Sequence, residues 1–200
     1  MKPELLYLIA IVAALYVVTW AIYKPMLAVF RVVEYALLSI SVMLILFLLF
    51  YVSMEVIRRY GFNSPQPGHL ELSELIILGV VFLAISYTQR THGHVGMDLF
   101  LEALPAGGRR VAVMASLIVS SLVCAVIGWF SIKNAYTFWL YDDVTMTEPY
   151  FKTWYWAGMI GLGYCMTCLR MIAQFMSLLD PERFPDDTPV DDSGLHAGSD

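Results

Sequence analysis

The sequence predicts an all-α membrane protein with several transmembrane helices, and three observations support this prediction. Hydrophobic residues make up 59% of the 200 residues and charged residues only 14%, whereas a soluble domain carries about 25% charged residues to solvate its surface. Five apolar stretches approach or exceed the length of about 20 residues that crosses a bilayer. None of them alternates apolar and polar residues as a membrane β-strand does, so the backbone polar groups must be satisfied within helices.

The first apolar stretch covers residues 5–23 and contains no charged residue. It is longer than the typical signal-peptide core of about 7–15 residues, and no small-residue cleavage motif precedes Lys24 and Pro25. We therefore expect residues 1–25 to form an extra transmembrane helix that is not cleaved and that precedes the main helical domain.

The remaining four stretches predict a four-helix membrane domain of long, tilted helices over residues 26–179. In order, these stretches cover residues 26–59, 70–89, 111–132 and 154–169. Each is rich in aliphatic and aromatic residues, and each is bounded by segments that contain proline. A proline disfavours helix at the residue before it, so these segments separate one helix from the next.

The connecting segments differ in composition. Residues 60–69 contain two prolines and two glycines and must form a loop, and residues 142–152 form a second polar loop. Residues 91–110 mix acidic and large apolar side chains, which is typical of a short helix at the membrane surface. Residues 180–200 contain seven acidic residues and one arginine and too little apolar area to fold alone, so we expect a disordered acidic tail.

Basic residues give a weak indication of orientation. Alternate sides of the domain carry seven and five of them, and Arg90, Arg109 and Arg110 flank one short connection. Because cytoplasmic loops are enriched in Lys and Arg, we expect this connection and the acidic tail to be cytoplasmic. Nine aromatic residues between positions 136 and 156 favour a membrane-interface belt on the opposite side. A docking surface for a soluble partner is the alternative.

The sequence contains no pattern typical of an enzyme or a nucleic-acid-binding protein. All four histidines lie outside the apolar stretches, whereas a b-type haem would need two of them within the helices. His92 and His94 have a spacing compatible with a metal, but Asp98 is the nearest carboxylate. No basic patch suited to nucleic acid is present. We expect no cofactor and no metal; a small membrane enzyme or haem protein that uses His92 and His94 is an alternative.

Charged residues lie at the ends of the predicted helices, whose centres are free of charge. A carrier that acts alone usually places ionisable groups at mid-membrane, so this pattern indicates a different role. Glu55 precedes Arg58 and Arg59 by three and four residues, a spacing that favours ion pairs, and Glu74 could pair with the same arginines. Helix ends whose charges simply reach water are an equally good explanation. The residues predicted to contact a partner or lipid are Glu34, Glu55, Arg58, Arg59, Glu74, Arg90 and Asp98.

Small residues recur every four positions along the last two predicted helices. In lipid, helices associate through close packing over small residues, because no hydrophobic force drives them together. The contact could join these two helices to each other or to another membrane chain. The predicted helix-packing positions are Ser116, Ser120, Gly128 and Gly161.

A set of short motifs runs in a characteristic order through the central region. It consists of RYGFN at 59–63, Glu74 with Leu75, Gly79, RTHGHV at 90–95, Asp98, and Leu104 with Pro105. In this order and in hydropathy, residues 34–176 resemble the DctQ-like family, which is the small membrane subunit of tripartite ATP-independent periplasmic (TRAP) transporters.

The resemblance implies a four-helix small permease subunit in the bacterial inner membrane that binds a separate large permease subunit. In such systems the large subunit carries substrate and sodium, and a periplasmic binding protein delivers the substrate, commonly a dicarboxylate or another organic acid. The small subunit would brace the large one, contact membrane lipids, and help to dock the binding protein. The extra first helix and the acidic tail depart from the family pattern. The small subunit of a tripartite tricarboxylate transporter is the alternative within transport.

Overall fold

The protein is described by a computed structural model that covers residues 3–21, 23–91, 106–181 and 183–184. Within these residues the fold is all-α, and the β-pairing is limited to one isolated bridge between Val144 and Lys152. Four helices are long and apolar enough to cross a membrane, and a shorter apolar helix precedes them. The predicted all-α, multi-pass fold is therefore confirmed. The helices are α1 (Pro3–Ala21), α2 (Tyr23–Gly61), α3 (His69–Arg90), α4 (Ala106–Leu140) and α5 (Trp154–Leu179).

The helices differ from the sequence prediction mainly at their ends. Helix α5 continues ten residues beyond the uncharged stretch that ends at Leu169, because its polar residues are paired inside the protein. Helix α4 begins at Ala106, earlier than predicted. The surface helix expected within residues 91–110 falls largely on residues 92–105, which lie outside the described residues.

The four long helices pack in the spatial order α4, α5, α3, α2. Helix α5 lies between α4 and α3, and α1 packs against α4, α5 and α2. Because α2 packs mainly on α3, most of its side chains are exposed, and they are predominantly apolar. Such a surface must meet lipid or another membrane protein. We call the end with Arg90 and the start of α4 the inner end, and the opposite end the outer end.

Helix α5 approaches its two neighbours over glycine residues. A Cβ atom on Gly161 would lie 2.8 Å from Cγ1 of Ile132 in α4, and one on Gly128 would lie 3.1 Å from Sγ of Cys165. A Cβ atom on Gly163 would overlap the carbonyl oxygen of Phe82 in α3. Close backbone approach of this kind is how helices associate in lipid.

The two connections at the outer end pack on each other. Gly68 has a positive φ of 71°, and a Cβ atom there would lie 2.7 Å from the carbonyl oxygen of Glu148. In the α4–α5 connection, Nζ of Lys152 donates a hydrogen bond to Oδ1 of Asp142 at 2.8 Å. This bond and the carboxylate charge raise the pKa of the Lys152 ammonium. The α2–α3 and α4–α5 connections therefore form one packed surface at the outer end.

After α5 the chain contacts the helices again at Phe184. Phe184 is only 3% exposed and packs on Tyr23 and Leu27 at the start of α2. Phe184 supplies apolar area that the acidic composition of this segment lacks, and the disordered acidic tail over residues 180–200 stays a prediction. Residues 185–200 lie outside the described residues.

Candidate functional site

Three polar side chains from three different helices meet inside the protein. They are Glu34 of α2, Ser86 of α3 and Arg170 of α5, and each is about 1% exposed. Nε of Arg170 donates a hydrogen bond to Oε1 of Glu34 at 2.9 Å, and its Nη2 donates to Oε2. The Ser86 hydroxyl donates to Oε1 of Glu34 at 2.6 Å. A bidentate ion pair between arginine and a carboxylate is among the strongest and most directional polar contacts in proteins. It therefore fixes α2 relative to α5.

This ion pair does not lie at a helix end, contrary to our expectation for charged residues. Helix α5 has 26 residues and is therefore about 39 Å long, whereas the hydrocarbon core is about 30 Å thick. Arg170 lies about 14 Å from the end of α5 at Leu179, within a helix long and apolar enough to cross a membrane. A charge within such a helix is costly unless it is paired. The apolar residues after Arg170 were the sequence signal that α5 continues past this charge.

The buried polar contacts continue toward the inner end between α3 and α5. Nε2 of Gln89 donates to Oε1 of Gln174 at 2.8 Å, and Nε2 of Gln174 donates to the Gln89 carbonyl oxygen at 3.0 Å. Arg90 is buried, and its guanidinium lies 5.3 Å from the centre of the Tyr35 ring in α2. Sequence reasoning did not identify the two glutamines. Together these contacts tie α2, α3 and α5 into one unit.

A second polar cluster lies at the outer end and joins α2 to the connection that follows it. Glu55 is buried and accepts hydrogen bonds from the backbone N–H of Gln66 at 3.2 and 3.3 Å. Nη1 of Arg58 donates to Oε1 of Gln66 at 2.9 Å, and Nη2 of Arg59 lies 3.6 Å from Oε1 of Glu55. Glu74 is exposed and, among the described residues, forms no ion pair with either arginine. This cluster therefore stabilises the start of the α2–α3 connection.

The structure brings some of the predicted contact residues together and separates others. Glu55, Arg58 and Arg59 form the outer cluster, whereas Glu34 and Arg90 belong to the inner part of the helix layer. Asp98 lies outside the described residues, as do His92 and His94. The polar residues therefore form an outer cluster and a separate set of contacts within the inner half of the helix layer.

The predicted helix-packing positions do not share one face of their helix. Gly128 and Gly161 lie in the contact between α4 and α5, Ser120 is half-buried, and Ser116 is exposed. A spacing of four residues turns about 40° further than one full helical turn at each step, so three steps rotate the position by about 120°. Positions 116 and 128 therefore point in different directions. The neighbouring Ser121, which the pattern omits, is fully buried against α1.

The described part of the helix layer contains an apolar cavity as well as the buried polar groups. A cavity of about 290 Å³ lies between α1 and α4 and is lined by aliphatic side chains such as Ile9, Val12 and Val126. The part of the chain that the structure describes also contains no group of three side chains able to hold a metal ion. This cavity is thus apolar, whereas the buried carboxylate of Glu34 is already bound by Arg170 and Ser86.

Comparison with known proteins gives one family and one informative relative. The model of the family "Tripartite ATP-independent periplasmic transporters, DctQ component" matches residues 48–180. The ectoine TRAP transporter small permease protein TeaB of Halomonas elongata is 27% identical over 122 residues, which are 59% of this chain and 61% of that protein. The aligned region thus spans less than two thirds of the relative. No solved structure matches. The matched region includes α3, α4, α5 and the outer part of α2, but not α1.

Proposed function

The chain belongs to the DctQ family of TRAP transporter components, and we propose that it braces a separate large permease subunit and does not itself carry substrate. The family is a component of a transporter, which also argues against an enzyme. The family assignment favours a TRAP system over the tripartite tricarboxylate alternative. The proposal concerns what the small subunit does within its transporter.

The bracing role rests mainly on the buried pair of Glu34 and Arg170. A transport pathway needs polar groups that can exchange contacts with a passing solute or ion. Here the carboxylate already accepts hydrogen bonds from Arg170 and Ser86, and its partner is buried to the same degree. Polar groups whose hydrogen bonds already hold three helices together are typical of a rigid support. They are not available to bind a solute that passes through the membrane.

The exposed flank of α2 is the surface that we assign to the large subunit and to lipid. This helix has 39 residues and is about 58 Å long, so it extends beyond a bilayer of about 40–45 Å. Its apolar side chains are mostly exposed, and the residues of the outer cluster lie at one of its ends. Contacts near the outer end would be made by Arg58, Arg59 and Glu74, while the buried Glu55 and Arg90 would support this surface from inside the helix layer. Asp98 stays a proposed contact on the sequence alone.

The transporter as a whole is proposed to work in the bacterial inner membrane with a periplasmic binding protein and a sodium gradient. The proposed substrates are organic acids, among them C4-dicarboxylates. The name of the relative from Halomonas elongata refers to ectoine, so the substrate class of the family is broader than dicarboxylates. The choice of substrate is assigned to the other two components.

Co-purification with the large permease subunit tests the assembly role directly. We expect Arg58→Ala and Arg59→Ala to reduce recovery of the complex, because both arginines hold the outer end of α2 in place. Lys152→Ala serves as a matched control, since this lysine lies at the same end and pairs with Asp142. Recovery of both arginine variants at the level of the control would refute the assignment of this surface.

A further inference from the structure

Helix α1 is held at its inner end by the chain that follows α5. The guanidinium carbon of Arg183 lies 4.2 Å from the centre of the Trp20 ring, within the range of a cation–π contact. The Phe184 ring packs edge-on against the Tyr23 ring, with centres 4.8 Å apart. Both aromatic partners flank the junction between α1 and α2. Arg183 and Phe184 therefore contact the residues on either side of the junction between α1 and α2.

Local hydrogen bonds direct these two side chains back toward the junction. The N–H of Asp180 donates to the Met176 carbonyl oxygen at 3.2 Å, and the N–H of Phe184 donates to the Asp180 carbonyl oxygen at 2.9 Å. The N–H of Arg183 donates to Oδ1 of Asp180 at 3.3 Å. In addition, Arg110 of α4 donates to the Leu178 carbonyl oxygen at the end of α5. Asp180, Arg183 and Phe184 are thus joined by hydrogen bonds from backbone N–H groups, and we call these three residues the latch.

The middle of α1 lies in the groove between α4 and α5. The Tyr16 hydroxyl and the Ser121 hydroxyl of α4 are 3.2 Å apart, and the Tyr16 ring packs edge-on against Phe175 of α5. Val12 and Thr19 are buried on the same side. The opposite side of α1 is also apolar and is exposed, as at Val17. A helix that is apolar all round is suited to lipid.

We infer that α1 is a fifth membrane-spanning helix, bound in the groove between α4 and α5 and fastened at its inner end by the latch. Its 19 residues measure about 28 Å, close to the thickness of the hydrocarbon core. This inference is independent of the proposed transport role, because it concerns a helix outside the region matched by the family model. It also implies that the groove is already filled, so a partner subunit must bind elsewhere.

The position of α1 in the membrane is tested by labelling cysteines introduced one at a time into the full-length chain, whose own Cys124, Cys165 and Cys168 lie within the apolar helices. The probe is a membrane-impermeant maleimide, applied to spheroplasts before and after permeabilisation. Lys2→Cys precedes α1, Met146→Cys lies on the outer connection and is 93% exposed in the native chain, and Ser193→Cys lies in the acidic tail. We expect Lys2→Cys to react together with Met146→Cys and on the opposite side from Ser193→Cys. Reaction of Lys2→Cys on the same side as Ser193→Cys would overturn the inference.

The latch is tested by hydrogen exchange of the full-length chain in lipid nanodiscs. We expect Phe184→Ala to accelerate exchange at the α1–α2 junction about tenfold, since the junction then opens more often. Leu179→Ala is the matched control, because Leu179 is a large apolar residue at the end of α5 that is half exposed. Equal exchange in these two variants would contradict the latch.

Exchange in α3 reports whether the Phe184→Ala variant remains folded. If α3 also exchanges faster, Arg183→Gln replaces Phe184→Ala as the deciding variant, because it removes the cation–π contacts with the Trp20 and Phe184 rings and leaves Phe184 in the apolar cluster. We then expect faster exchange at the junction alone. An Arg183→Gln protein with the exchange pattern of the unmodified chain would overturn the latch in that case.

Discussion

Removing one partner of the buried ion pair is the most informative perturbation of this fold. In the Arg170→Met variant, Glu34 loses the two hydrogen bonds from the guanidinium and keeps only the bond from Ser86. A carboxylate would then remain about 1% exposed without a cation. Breaking a buried ion pair in this way costs about 3–5 kcal/mol. We expect a loss of that size in the free energy of unfolding.

The assay is reversible unfolding of the purified chain in mixed micelles, followed by the helical signal. The Glu34→Gln and Arg170→Met single variants and the double variant form a cycle that isolates the interaction between the two side chains. The double variant should recover most of the loss, because replacing both charges avoids a buried unpaired group. Lys152→Ala is the control, since Lys152 and its partner Asp142 are 50% and 71% exposed and an exposed pair contributes about 1 kcal/mol or less.

Two outcomes would refute this reasoning. The first is an Arg170→Met protein within about 1 kcal/mol of the unmodified chain, a cost no larger than that of an exposed pair. The second is that Arg170→Met lowers the free energy of unfolding by the same amount in the unmodified chain and in the Glu34→Gln variant. Either result would mean that the pair does not fasten α2 to α5.

Two further predictions concern the helix contacts and the outer connection. Gly163→Ala should lower the free energy of unfolding by at least ~2 kcal/mol, because the added methyl group overlaps the α3 backbone. Gly158→Ala is the control, because no atom lies within 4 Å of the added carbon, and it should raise the free energy of unfolding by up to about 1 kcal/mol. An equal loss of stability in the Gly163→Ala and Gly158→Ala variants would contradict the close packing of α5 on α3. Glu55→Ala should accelerate hydrogen exchange of the Gln66 amide about tenfold, since that N–H loses its acceptor. The exposed Glu74→Ala is its control, and unchanged exchange at Gln66 would count against the outer cluster.

Sequence alone predicts the fold class because hydropathy reports the average surroundings of each segment. The composition, the long apolar stretches and the proline-containing connections lead to the helices that the structure contains. The match of the family model to residues 48–180 likewise agrees with the motifs around Glu74 and Arg90. These are local features, and each can be recognised without knowing which helices are neighbours.

Contacts between distant parts of the chain were not predictable in this way. Glu34 and Arg170 are 136 positions apart, and each alone resembles a charge near a helix end. Gly163 carries no signal that distinguishes it from Gly158, although only Gly163 meets a neighbouring backbone. Phe184 lies in a segment whose average composition indicates disorder, yet its ring is buried against Tyr23. Pairing and close approach depend on the spatial order of the helices, which hydropathy does not contain.

The central claim is that this chain supports a carrier and is not the conduit, and uptake into proteoliposomes tests it most directly. Vesicles with an inward sodium gradient are prepared with the chain alone, with the large permease subunit added, and with the periplasmic binding protein added as well. Radiolabelled succinate and ectoine serve as the probes. We predict accumulation of a probe only in vesicles that contain all three proteins. Accumulation driven by the chain alone would contradict the account.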